Sequence, residues 1–162
     1  MPLPASPENK ITLRFLAEPT DVNFGGKVHG GAVMKWIDQA GYTCAVGWSH
    51  HYCVTVYVGG IRFYKPIHIG NLVEVTAKVI YTGQTSMHIA VDVWARDPKG
   101  GEFAQTTHCI IIFVAVNAEG QPMPVPHWEP GSDEERALHD YAVKLMGLRK
   151  TIEEEMKPHM GR

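Results

Sequence analysis

The sequence predicts an α+β domain: one long helix early in the chain, about five antiparallel strands, and a second helix appended at the C-terminus. Three observations carry this. A glycine-rich turn opens an apolar stretch with helical periodicity that runs to Gly47. Later segments are rich in β-branched and aromatic residues or alternate with period two, and short turn sequences join them. A proline-rich run then precedes a helix-start signature. With 162 residues and 44% hydrophobic content, the chain can build one domain with a real core plus one appended element. The expected boundaries are a mobile arm over residues 1–10, a domain over 11–130 and a helical extension over 131–162.

The first ten residues contain prolines and no periodicity, which is why they read as an arm. Ile11 to Ala17 alternates well enough for a first strand, which Pro19 ends. In the segment PTDVNFGGKVHGGAVMKWIDQAGYTCAVG, Gly30-Gly31 falls where the helix should begin, and first-turn amides there lack intrahelical acceptors. At 100° per residue, Val33, Ile37, Ala40, Gly41, Cys44 and Ala45 form the apolar arc, and Lys35 and Gln39 point away. Asp38 sits at the edge of that arc. A carboxylate bordering a buried face loses hydration and must find hydrogen-bond partners or change its pKa.

Cys53 to Tyr64 reads as a long strand interrupted by Gly59-Gly60, which marks a bulge or a place where a ligand comes close. Leu72 to Thr82, Ser86 to Arg96 and Phe103 to Val116 are three further strands, joined by GQT and DPKGGE in a meander. In the first of these, Val73, Val75, Ala77, Val79 and Tyr81 form the apolar side; in the second, Met87, Ile89, Val91 and Val93 do. CIIIFVAV is apolar throughout, so that strand is central or covered on both sides. One helix cannot cover every apolar surface and strand edge, which predicts dimerisation by edge-to-edge pairing of sheets. From Gln121 to Pro130, prolines make the chain run extended over the surface. Ser132 and Glu135 then read as a capping box, and Leu138, Tyr141, Leu145, Leu148 and Ile152 as a seam that packs on the domain or on a neighbouring subunit. Pro158 marks its end.

Composition excludes several function classes. The formal net charge is −2 and the fifteen basic residues are scattered, which gives no electrostatic footprint for nucleic acid. No apolar run approaches the roughly 20 residues of a membrane span, and MPLPASPENK lacks a signal-peptide centre, so a cytoplasmic protein without a membrane partner is expected. The three cysteines lie in apolar segments without C-x-x-C spacing and read as buried thiols. Nine histidines form no H-x-x-x-H or H-E-x-x-H arrangement, so no metal is expected.

No G-x-S-x-G elbow, P-loop or strand-linked G-x-G-x-x-G is present. What remains is Asp38 beside an apolar face, the amides of Gly30 and Gly31, and Asn23 in the preceding loop. Those parts suit acyl transfer to water, with a carboxylate to activate the water and amides to stabilise an oxyanion. Asp38 stands about two turns, roughly 10 Å, along the helix from Gly31, so a second chain is needed to complete the site.

The pieces PTDVNFGGKVHGGAVMKWIDQAG, FYKPIHIGN and YTGQTSMHIAVDVWA resemble, in order and spacing, the acyl-CoA thioesterases of the hotdog fold, in the branch of bacterial acyl-CoA hydrolases and the mammalian cytosolic hydrolase. The resemblance covers roughly residues 11–127. It implies a five- to six-stranded antiparallel sheet wrapped around one long helix, and a homo-oligomer of paired sheets, commonly a trimer of dimers. It also implies hydrolysis of acyl-CoA to CoA and a fatty acid without cofactor. By motif position Asp38 is the general base or the nucleophile, Asn23 of a facing subunit orients water or the carbonyl, and Gly30 and Gly31 hold the thioester oxygen. The same likeness assigns CoA contacts to Gly59, Gly60, Arg62, Lys65, Thr85 and Ser86. Two other readings predict different behaviour: a hotdog hydratase or dehydratase depends on His29, and a non-catalytic acyl-CoA-binding module binds without turnover.

Overall fold

The computed structural model describes residues 8–161. Most of the arm expected over residues 1–10 lies outside them; the strand that follows begins at Lys10, and the Asn9 carbonyl already accepts from the Val79 amide. The elements in chain order are β1 (Lys10–Leu16), α1 (Gly30–Ser49), β2 (Tyr52–Phe63), β3 (Leu72–Thr82), β4 (Ser86–Arg96), β5 (Ala104–Val116) and α2 (Asp133–Met156), with short 3-10 turns at Pro19–Asp21 and Lys157–His159. All neighbours in the sheet are antiparallel and the order is β1-β3-β4-β5-β2, so β1 and β2 form the edges. No helix among the described residues is long and apolar enough to cross a membrane.

α1 packs on one face of this sheet. The arc expected from periodicity is buried in full, and Trp36 and Trp48 extend it: Trp36 meets Phe15 edge-on at 4.8 Å, and the Trp48 indole donates to the Pro126 carbonyl at 2.8 Å. Gly41 sets how close the helix comes to β5. A Cβ there would stand 2.8 Å from the Phe113 ring and 2.9 Å from Ile111, distances that no relaxed side chain accepts. Cys44, Cys53 and Cys109 are free and buried, and burial pushes the Cys44 thiol up to about 12 and that of Cys109 to about 11. Both are inert thiols.

The inner side chains of the strands are Val73, Val75, Ala77 and Val79 on β3, Met87, Ile89, Val91 and Val93 on β4, and Cys109, Ile111 and Phe113 on β5. Tyr81 departs from the expected alternation. A register shift between Val79 and Tyr81 opposes Tyr81 to His88, which turns its ring to the outer face. That face is covered by α2, where Ile80, Ala90, Ile110 and Ala142 form a second small core. β5 is not the central strand, since β4 holds that place and β5 lies next to the edge strand β2, but it is covered on both sides, as its uninterrupted apolar run requires.

The proline-rich run is more than a surface crossing. Met123 donates to Ala115, Val125 to Gln84 and Trp128 to the Thr82 hydroxyl, and Trp128 is buried, so the segment straps the β3–β4 hairpin to the end of α1. The Ser132 hydroxyl caps α2 by accepting from the Glu135 amide at 3.1 Å. The return bond of the expected capping box is displaced by one residue: Glu135 accepts from Gly131 at 2.8 Å, because the chain enters α2 with the Gly131 amide turned toward it. Leu138, Tyr141 and Leu145 pack on the sheet, whereas Leu148 and Ile152 remain 61% and 50% exposed.

Candidate active site

The loop before α1 is a tight, self-bonded turn. Val22 bridges to Val28, the Asn23 amide donates to the Lys27 carbonyl, and Gly26, with φ of 79°, supplies the left-handed residue the turn needs. The Asn23 side chain holds this turn from within: its Oδ1 accepts from the amides of Gly25 at 2.9 Å and Lys27 at 3.2 Å. The oxygen is committed inward, which leaves the Nδ2 group as two donors for something outside the turn.

α1 begins one step further on. His29 precedes it with no side-chain cap; its own amide donates to the Asp21 carbonyl at 2.7 Å, and its carbonyl accepts from Val33. The amides of Gly30 and Gly31 therefore stand at a helix N-terminus without partners among the described residues, with the positive end of the helix dipole behind them. The Phe63 ring lies against Gly30, where a Cβ would come within 3.4 Å of it.

Two turns along, Asp38 is exposed but not free. The Thr55 hydroxyl on β2 donates to its Oδ1 at 2.7 Å, fixing the carboxylate and leaving its second oxygen open. Met34, Ile37, Val58, Ile61 and Ile111 line a mostly apolar hollow of about 290 Å³ around it, with Lys35 at its border. A carboxylate with one oxygen tied down and one presented to a mostly apolar hollow is equipped to take a proton from water.

Asp38 with Gly31 and Asn23 with Gly30 line two different hollows. Lys65, Tyr64 and Pro66 border the Asn23 hollow, which measures about 320 Å³. One chain thus brings Lys65 to Asn23 but does not bring Asn23 to Asp38. Gly59 and Gly60 form a bulge, with Gly60 at φ 63° and a register shift before Arg62, and they border a third hollow on the outer face of the sheet, away from Asp38. Arg62 lies over the Tyr64 ring at 5.2 Å. Thr85 and Ser86 sit in the β3–β4 hairpin, where their carbonyls accept from Ala115 and Gly83. Arg62, Thr85, Ser86 and His29 line none of these hollows. Thr55 escaped the sequence reading because a threonine in a β-branched strand has the same pattern whether it packs or donates; its contact with Asp38 exists only once β2 lies beside α1.

Residues 25–102 match the thioesterase superfamily. The chain is 35% identical over 125 residues to the acyl-CoA thioester hydrolase YciA of Salmonella typhimurium, covering 75% of this chain and 93% of that protein. The chain belongs to the thioesterase superfamily. Among solved structures, an apo-hexameric acyl-CoA thioesterase superposes with a TM-score of 0.84 at 31% identity, over 88% of this chain and 91% of the other. The acyl-CoA hydrolase of Staphylococcus aureus, solved with butyryl-CoA, CoA and CoA disulfide, gives 0.85 at 28% identity over 93% and 92%. The hotdog fold is therefore that of this thioesterase, with the sheet wrapped around α1. The Staphylococcus protein has also been solved as alanine variants at an asparagine, an aspartate and a threonine whose spacings equal those from Asn23 to Asp38 and from Asp38 to Thr55.

Proposed function

We propose that this thioesterase hydrolyses acyl-CoA to CoA and a carboxylic acid, at a site shared between two copies of the chain. The observation that carries this is Asp38, oriented by Thr55 above an apolar hollow while Asn23 faces a separate one. A second copy, placed so that its Asn23 Nδ2 reaches the open side of the Asp38 hollow, would supply the missing donors. Exposed apolar side chains at both hollows, Met34 and Val58 beside Asp38 and Phe63 and Tyr64 beside Asn23, support such a contact, as does the open edge of β2. Assembly of those dimers into a hexamer accords with the hexameric relatives.

In the reaction, Asp38 removes a proton from water as its oxygen adds to the thioester carbonyl carbon. The carbonyl oxygen gains the charge and is held by the unpartnered amides of Gly30 and Gly31, while Asn23 of the facing copy orients the water. Collapse of the tetrahedral intermediate breaks the C–S bond, and CoA leaves as a thiolate that takes up a proton. Thr55 is a positioning residue for Asp38. Lys65 and Arg62, near the mouth of the Asn23 hollow and beside Tyr64, supply positive charge for the CoA phosphates, and the Thr85 and Ser86 hydroxyls supply neutral donors from the hairpin.

Thiol release from acyl-CoAs of graded chain length tests the reading: wild-type protein should release free CoA, and Asp38→Ala should not. Undiminished turnover by Asp38→Ala would remove Asp38 from the mechanism, and saturable CoA binding with no product would favour a binding module instead.

A further inference from the structure

The outer face of the sheet carries a cavity that the proposed hydrolysis leaves without a role. Where α2 leaves the sheet beside β2, a hollow of about 240 Å³ remains, open on the side of Leu148 and Ile152. Ile110 and Ile112 of β5 form its floor, and Leu145, Leu148 and Ile152 of α2 form its wall. His88 and Arg149 give it a polar end.

His88 is 4% exposed; its ring touches Tyr81 edge-on at 4.9 Å and has no hydrogen-bond partner among the described residues, so its nitrogens open only on the cavity. Among the described residues no fully buried side-chain nitrogen lacks a partner, so the His88 ring is reached by water from the cavity. Its neighbour His108 shows the usual arrangement: Nδ1 is 2.7 Å from Asp92 and Nε2 is 2.9 Å from the Tyr141 hydroxyl, which closes that chain on itself. Burial and the charge of Arg149 lower the pKa of His88 to about 4, so at neutral pH it carries one N–H donor and no charge. The Arg149 guanidinium lies over the Tyr57 ring at 5.1 Å, and among the described residues its one ion pair is with Glu153, 3.6 Å from Nε, which leaves its two Nη groups without an acidic partner. Its donor fork is therefore available.

A cation with free donors, a neutral donor beside it and aliphatic walls beyond specify an amphiphilic anion. Planar, bidentate acceptance of a guanidinium fork is the geometry of a carboxylate. The volume lies below the roughly 300–1,000 Å³ of pockets for drug-sized ligands, which limits the tail to a short chain. We infer that this cavity binds a small aliphatic carboxylate, its head between Arg149 and His88 and its tail on Ile110, Ile112 and Leu145. The inference stands on the cavity alone and does not require the hydrolysis proposed above.

Calorimetric titration of hexanoate into the full chain tests it, with hexanol as the uncharged probe and the Asp38→Ala and Arg149→Gln variants alongside wild type. Hexanoate should bind saturably to wild type and to Asp38→Ala alike. Hexanol, and hexanoate on Arg149→Gln, should bind at least about tenfold more weakly, and Arg149→Lys should recover part of the loss. The His88 ring resonances should shift on addition of hexanoate. No saturable binding up to millimolar hexanoate overturns the inference, as does binding that survives Arg149→Gln, or binding that Asp38→Ala abolishes. Because Arg149 lies on the surface of α2, the thermal unfolding midpoint of Arg149→Gln should stay near that of wild type, which keeps a lost titration interpretable.

Discussion

The two faces of the sheet hold their helices by different means, and the hollows beside them differ in the same way. α1 has no side-chain cap and no acidic residue in its first turn; it is held by nine buried residues and by the contact of Gly41 with Phe113 and Ile111. α2 buries only Ala142, and local chemistry defines it: the Ser132 cap, the Glu135 bond to Gly131, and three acids in the first turn. On the α1 side, Asp38 lies exposed in a hollow that one chain leaves incomplete. On the α2 side, His88 lies buried at one end of a hollow whose outer wall, Leu148 and Ile152, stays exposed. The comparison teaches that a deep core can carry an open, shared site, because packing holds α1 rigid while its rim stays available to a second copy. A locally capped helix, which buries little, instead leaves a hollow under its C-terminal half.

Four substitutions would sharpen or break that contrast. The largest effect belongs to the open side: Asp38→Ala should lower kcat by about 10²- to 10⁴-fold with little change in thermal stability, since Asp38 is exposed. A stability loss matching the activity loss would show that it is a structural residue. Next, Gly41→Ala should destabilise by about 1–3 kcal/mol, read by denaturant unfolding, because the methyl collides with Phe113 and Ile111. A neutral result would mean that α1 can retreat from β5, and the rigid-core half of the comparison would fail.

On the α2 side, acid is the probe. His88 has its folded pKa lowered from 6.5 to about 4, so the unfolded chain binds its proton first as pH falls. The stability present above about pH 6.5 should decline between there and pH 4, by about 3 kcal/mol. His88→Gln should flatten that part of the pH–stability curve, and an unchanged slope would place the titration elsewhere. The smallest effect is expected for Ser132→Ala, about 1 kcal/mol, seen as faster amide exchange in the first turn of α2 with α1 unaffected.

Much of this was legible in the residues. The bounds of β3 and β4 and the start of α1 follow from periodicity and turn chemistry, because each signal is local and agrees with its neighbours. Tyr81 was misplaced because a bulge is a property of two strands, and one strand's alternation does not carry it. The burial of Trp128 and the strap around it depend on where Thr82 and Trp48 end up, residues far away in sequence. In the site, the residue types of Asn23 and Asp38 stood out, whereas Thr55 and the His88 cavity arise only when β2 meets α1 and α2 covers β4. The helical rise between Gly31 and Asp38 did not carry the division of the site: those two share one hollow, and it is Asn23 that stands apart, in a hollow bordered by Phe63 and Lys65.

Subunit complementation tests the shared site most directly. Copies carrying Asn23→Ala and copies carrying Asp38→Ala, each inactive alone, are co-expressed with different tags and the mixed oligomers isolated by tandem purification. Each mixed pair then holds one intact combination, the Asp38 of one copy with the Asn23 of the other, so acyl-CoA hydrolysis should return. Mixed oligomers as inactive as either parent would contradict a site divided between two chains.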